Sequence, residues 1–124
     1  HPESELGRRC AERGRVSGRD AVAAARAGDP RALELMAGYG RWLGTGIATV
    51  VNVFEPKRVV IGGGLSTAAE LFLETAVAEA ARWALPALWE RTTVGLARGG
   101  ADAGVIGAAV LADHELERSG HTAR

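Results

Sequence analysis

The sequence predicts an α/β layered fold, on three observations. Segments with apolar residues every three or four positions alternate with two short β-branched runs, each run leads toward a glycine cluster, and prolines or capping residues stand at the joints. The 124 residues suit one compact unit around one main core.

Residues 3–15 are polar and interrupted by Gly7 and Gly14, which predicts at most a frayed helix. Ser17 and Asp20 have the spacing of a capping box and precede the alanine-rich run Ala21–Ala27, so a helix is expected over Gly18–Arg26. Gly28 breaks it, Asp29 can cap the next helix, and Pro30 suits a first helical position, where the missing N–H costs nothing.

The longest helix follows, with Leu33, Met36, Tyr39 or Gly40, Leu43, Ile47, Val50 and Phe54 on one face. Gly38, Gly40, Gly44 and Gly46 each cost a helix about 1 kcal/mol relative to alanine. Close backbone contact with a neighbouring element is the expected compensation at all four. Pro56 ends this helix near Phe54 and pushes Glu55 toward an extended conformation.

Arg58-Val59-Val60-Ile61 reads as a buried strand stopped by Gly62-Gly63-Gly64. Ser66 or Thr67 is placed to cap a further helix whose apolar face holds Ala69, Phe72, Ala76, Ala80 and Trp83, ended or kinked by Pro86. Thr92–Ala97 predicts a second strand, Gly99–Gly104 a loop, and Val105 to about Glu117 a closing helix, with a poorly ordered tail from Ser119 to Arg124. A two-stranded sheet is marginal alone, so additional sheet is expected from sequence outside this chain or from a partner chain.

Fifteen Lys plus Arg against 15 Asp plus Glu give no net field toward nucleic acid or an anionic membrane. The single cysteine, Cys10, closes no intrachain disulfide and starts no zinc pattern, so a reducing, cytoplasmic setting is expected. No apolar run approaches the roughly 20 residues that span a bilayer, and no charged-then-apolar leader opens the chain. A first residue of His1 rather than Met leads us to expect an engineered start, a processed product or a portion of a longer protein.

Val59–Ser66 is the segment most suggestive of chemistry. A strand running into three glycines and then a capped helix is where α/β proteins place ligands, because glycine admits close approach and helical N–H groups can meet phosphate. The same spacing equally fits a sharp strand-to-helix turn without a ligand. The dinucleotide GxGxxG and the P-loop lysine motif are both absent.

Leu43-Gly44, Val51-Asn52-Val53-Phe54-Glu55-Pro56 and Val59-Val60-Ile61-Gly62-Gly63-Gly64-Leu65-Ser66 together resemble the carboxy-terminal signature of the ROK family, which contains bacterial glucokinases. Asp102-Ala103-Gly104-Val105-Ile106-Gly107-Ala108-Ala109 is similar to that family's closing DAG-x-x-GAA helix, and the resemblance covers about Ser17 to Leu111. It implies an actin-like, RNase H-like ATPase architecture, with residues 1–124 as part of the carboxy-terminal lobe and 1–16 and 119–124 poorly ordered. It also implies that Gly62, Gly63, Gly64 and Leu65 lie against the adenosine of ATP, that Ser66 shapes the edge of that site, and that the Asp102–Gly107 segment is mainly structural.

The family's phosphate loop, catalytic Asp, sugar-binding Glu and His motif and Cys-rich zinc cluster have no counterpart in this sequence, so no catalytic or metal-ligating residue is expected here. Gly44-Thr45-Gly46-Ile47 superficially resembles the GTG phosphate loop but sits inside the helical period, where helix packing is the expected role. Asp102 is expected to cap the last helix rather than act as a base, His114 and His121 to be solvated, and Cys10 to be a bystander. Trp42 and Trp83 are expected in a core or interface.

These implications favour a sugar kinase using ATP and Mg²⁺ in the intact protein, with glucose as substrate, this portion alone being inactive. The sugar-sensing lobe of a ROK repressor is the alternative, and a nonenzymatic self-associating module the third reading. Nucleotide and sugar are the expected partners of the intact protein, homo-oligomerisation is expected, and this portion is not expected to bind nucleic acid or membrane.

Overall fold

The computed structural model describes residues 2–98 and 103–121. Residues 99–102 of the glycine loop, including the Asp102 cap, and residues 122–124 of the tail lie outside the described residues. The elements run α1 (Glu5–Arg13), α2 (Gly18–Arg26), α3 (Pro30–Phe54), β1 (Arg58–Ile61), a 3₁₀ segment (Gly64–Leu71), α4 (Leu73–Trp83), α5 (Pro86–Trp89), β2 (Thr93–Leu96) and α6 (Ala103–His121). Two compact units form, one of His1–Val59 and Ala68–Val94, the other of Val60–Thr67 and Gly95–Arg124.

The caps explain where the first three helices begin. Ser4 Oγ accepts the Gly7 N–H at 3.0 Å and starts α1, where a frayed segment was expected. At α2 the box is complete: Ser17 Oγ accepts the Asp20 N–H at 3.2 Å, and the Asp20 carboxylate accepts the Ser17 N–H at 3.0 Å. Asp29 accepts the Arg31 and Ala32 N–H groups at 2.8 and 3.1 Å at the head of α3, and also the Glu5 N–H at 2.7 Å, which ties α1 to this joint.

The core of the first unit is the contact of α3 with α4 and α2. It is made largely of alanine (Ala24, Ala32, Ala48, Ala76, Ala80), with Met36, Ile47, Val51 and Phe72 as its larger members. Small side chains let the helices approach closely, and two glycines take this furthest. A Cβ on Gly40 would stand 2.7 Å from the Phe72 carbonyl oxygen, and one on Gly44 2.5 Å from that of Ala76. Gly38 and Gly46 differ: a Cβ on Gly38 would meet only the end of Arg41 at 3.8 Å, and one on Gly46 nothing within 4 Å. The close packing expected at all four is therefore made at two within this chain.

The same helix corrects other expectations. Its bounds are as expected, but Leu33, Val50 and Phe54 are exposed, because Met36, Gly40, Gly44, Ile47 and Val51 are the residues turned to α4. Trp42 and Trp83 are 81% and 59% exposed, outside any core of this chain. Glu55 is left-handed (φ 48, ψ 46) rather than extended; in that geometry its N–H reaches the Val51 carbonyl at 3.0 Å and closes the helix end ahead of Pro56.

β1 and β2 form a two-stranded sheet. The Thr93 N–H donates to the Lys57 carbonyl at 3.0 Å and the Ala97 N–H to the Ile61 carbonyl at 2.9 Å. The interval is the same at both ends, so the strands run parallel. β1 alternates exposed and half-buried instead of being buried throughout, and Val60 is 53% exposed, since β2 is its one neighbour among the described residues. In the second unit α6 continues past Glu117 to His121, and its Val105, Ile106, Val110 and Leu111 are exposed.

Two outcomes follow from these contacts. Gly44→Ala is expected to lose about 1–3 kcal/mol of unfolding free energy in urea titrations, because the new methyl meets backbone that cannot move aside. The Ser17 hydroxyl first, then the Ser17 N–H, hold the Asp20 carboxyl down at about 2 from an ordinary 3.8. A lowered folded-state pKa means that the box stabilises fully above pH 4 and loses its effect as pH falls from about 4 to about 2. Asp20→Asn should flatten the stability–pH curve in that window.

Candidate functional site

Gly62, Gly63 and Gly64 follow β1 directly and are all exposed. A Cβ on Gly62 would sit 3.5 Å from the Ala97 Cβ, just beyond the end of β2, whereas Cβ atoms on Gly63 and Gly64 would meet nothing within 4 Å. Gly63 has φ 87, the left-handed region in which glycine is unstrained, and this turns the chain out of the strand. The result is a bare patch of backbone at the carboxyl end of a parallel strand.

Ser66 differs from its expected role as a helix cap. It lies inside the 3₁₀ segment, its hydroxyl donates to the Gly63 carbonyl at 2.7 Å, and its N–H reaches the same oxygen at 3.1 Å. Ser66 is buried, so it braces the glycine turn from within. Thr67 repeats the contact one residue on, its hydroxyl donating to the Gly64 carbonyl at 2.9 Å. Leu65 is half-buried beside them.

The helix expected after this turn is divided. The 3₁₀ segment kinks at Ala68 (φ −119, ψ 27), and α4 starts only at Leu73, with Phe72 before it and no side-chain cap. The kink places Ala68, Ala69 and Phe72 inward as a group. Phe72 then stands edge-on to Tyr39, ring centroids 5.0 Å apart.

Two polar residues at the joints between these elements were given no role of their own from sequence. Asn52, near the end of α3, donates from Nδ2 to the Trp83 carbonyl at 3.0 Å and accepts the Leu85 N–H at Oδ1 at 2.8 Å, closing the end of α4. The Thr92 hydroxyl lies 2.8 Å from the Pro56 carbonyl oxygen and 3.0 Å from that of Leu88, so its one proton is shared between them or donated to either, joining the loops that enter β1 and β2. A polar side chain inside the apolar run Val50–Phe54 was the available signal for Asn52.

No group of three or more His, Cys, Asp or Glu able to hold a metal ion occurs among the described residues. Cys10 and His114 are exposed, and the side chain of His121 lies outside the described residues. No helix among the described residues is long and apolar enough to cross a membrane.

The family model of the ROK family matches residues 6–115. A glucokinase of Halalkalibacterium halodurans is 32% identical over 98% of this chain and 38% of its own length, and a glucokinase of Streptomyces coelicolor 35% identical over 78% and 31%. The chain thus spans about a third of the length of these curated relatives. Among solved structures, a ROK family glucokinase from Streptomyces griseus in complex with glucose and AMPPNP has a TM-score of 0.68 at 34% identity, covering 77% of this chain and 31% of that one. A ROK family transcriptional regulator, a homologue of the E. coli MLC protein, has a TM-score of 0.62 at 30% identity, covering 70% and 22%.

The turn's geometry makes a ranked prediction. Gly63→Val is expected to cost about 1–2 kcal/mol through backbone strain alone, since its side chain enters open space, and Gly63→Asn less, because asparagine tolerates the left-handed region. Equal losses in denaturant titrations would show that the positive φ is not what the position requires.

Proposed function

The chain belongs to the ROK family, and on that premise we propose that it is the carboxy-terminal portion of a sugar kinase that transfers the γ-phosphate of ATP to a sugar hydroxyl, glucose being the expected acceptor. Its contribution is one wall of the nucleotide site. The observation that carries this reading is the bare, braced turn at Gly62, Gly63 and Gly64 at the carboxyl end of a parallel strand, in a chain with glucokinase relatives.

Backbone without Cβ atoms at Gly63 and Gly64 suits a flat group such as adenosine lying against it. Leu65 offers an apolar edge, and Ser66, with its hydroxyl committed to the Gly63 carbonyl, acts by fixing the turn's shape. Gly62 is the narrowest position, with Ala97 closest to it. Mg²⁺ would be held in the intact protein with the phosphates.

Phosphoryl transfer requires a base, a metal and phosphate clamps placed in line with the acceptor. This chain supplies an adenosine-facing wall, and the reading assigns those other groups to the remainder of the kinase. A cytoplasmic setting belongs to the same reading.

The likeness to a ROK transcriptional regulator keeps a second reading, in which the same lobe serves a sugar-responsive repressor. The coding sequence upstream of His1 separates them, a phosphate loop and catalytic Asp marking the kinase and a winged helix the repressor. The direct test is glucose-dependent ADP release by the protein encoded with that upstream sequence. Turnover is expected from the longer protein and none from residues 1–124; a longer protein that binds neither ATP nor glucose would overturn both readings.

A further inference from the structure

Two aspartates have a second task beyond capping. Asp20 Oδ2 serves the box of α2, accepting the Ser17 N–H and hydroxyl at 3.0 and 2.6 Å, while its Oδ1 lies 3.3 Å from Arg9 Nη1 and 3.6 Å from Arg13 Nη1 on α1. Asp29 divides in the same way. Its Oδ1 accepts the Arg31 and Ala32 N–H groups at the head of α3, and its Oδ2 accepts the Glu5 N–H at the head of α1 at 2.7 Å. Each carboxylate thus caps its own helix with one oxygen and holds α1 with the other.

Apolar burial contributes little to keeping α1 in place. None of its residues is buried, and half-buried Leu6 lines an open groove of about 780 Å³ together with Leu35, Tyr39 and Trp42 of α3. Three arginines against two glutamates leave α1 positive, the sign that suits two carboxylates. The Arg9 and Arg13 side chains are 30% and 65% exposed, so dissolved salt screens their attraction to Asp20. A helix of nine residues is marginal in water when isolated, so release of α1 also unfolds it.

We propose that α1 is an ionic strap, which detaches as a unit when its charges are screened while α2, α3 and α4 stay folded. Its departure removes one wall of the groove and uncovers Leu35, Tyr39 and Trp42 on that side. The capping oxygens of Asp20 and Asp29 remain engaged, so α2 and α3 keep their starts. The glycine turn takes no part, and the inference stands apart from the phosphoryl-transfer reading.

The test is amide hydrogen exchange of the whole chain between about 20 mM and about 500 mM sodium chloride, a range over which screening changes strongly. Protection of the α1 amides is expected to fall about three- to tenfold with salt, and that of the Met36–Val51 amides to stay unchanged.

Two variants separate the strap from the helix's own stability. Arg8 and Arg9 both pair with Glu5 inside α1, but of the two Arg9 is the one that also reaches Asp20. Arg9→Gln should therefore lower α1 protection at low salt about threefold or more and blunt its salt dependence, and Arg8→Gln, which removes the same charge, should do clearly less. Three outcomes would overturn the proposal: α1 exchanging in step with α3 or unprotected even at low salt, protection of α1 indifferent to salt, or equal losses from the two variants.

Discussion

The closeness of α3 and α4 is the constraint on which the first unit depends. With the Phe72 and Ala76 carbonyl oxygens 2.7 and 2.5 Å from where Cβ atoms would stand on Gly40 and Gly44, the interaxial distance is set by backbone against backbone. That distance dictates the composition of what surrounds it. Ala32, Ala48, Ala76 and Ala80 are buried, small side chains compatible with that approach, and Phe72, just ahead of α4, is the large buried residue among them. The glycines give up helix propensity and gain dense, nondirectional contact along the seam.

The entries to both strands lie in the same unit as that seam. α3 ends at the left-handed Glu55, and α4 ends where Asn52 of α3 holds the Trp83 carbonyl and the Leu85 N–H. The two helices therefore deliver the chain to β1 and β2 from ends that are already tied together, and Thr92 adds a tie to the Pro56 carbonyl before the ladder starts. A parallel pair cannot be joined by a tight turn and needs a crossover. Here the crossover is α4 with α5, and the side-chain hydrogen bonds of Asn52 and Thr92 set where it leaves and returns.

Much of this was legible in the sequence because it rests on local chemistry. The capping box fixes α2, Asp29-Pro30 fixes the start of α3 and Pro56 its end, and β-branched runs mark both strands. What was not legible depends on tertiary partners. The division between the 3₁₀ segment and α4 follows from burying Ala68, Ala69 and Phe72 together, which helical periodicity cannot express. The role of Ser66 was misread for a related reason: serine after a glycine cluster signals a helix cap, but a 3₁₀ turn brings the Gly63 carbonyl within reach of its hydroxyl. The glycine turn itself was visible as residues, while its open backbone and positive φ at Gly63 became visible only with the fold.

The four glycines of α3 show where sequence reasoning could have gone further. At 100° per residue, Gly40 and Gly44 share the face of Met36, Ile47 and Val51, while Gly38 and Gly46 lie roughly 160° and 120° around the helix from its middle. One neighbouring helix cannot approach all four. Angular phase alone therefore separates the glycines that α4 requires from those it cannot use, and it groups Gly46 with Leu35, Tyr39, Trp42 and Val53 instead. Of the glycines that this 25-residue helix carries on different faces, those turned to α4 are the ones that backbone meets within the chain.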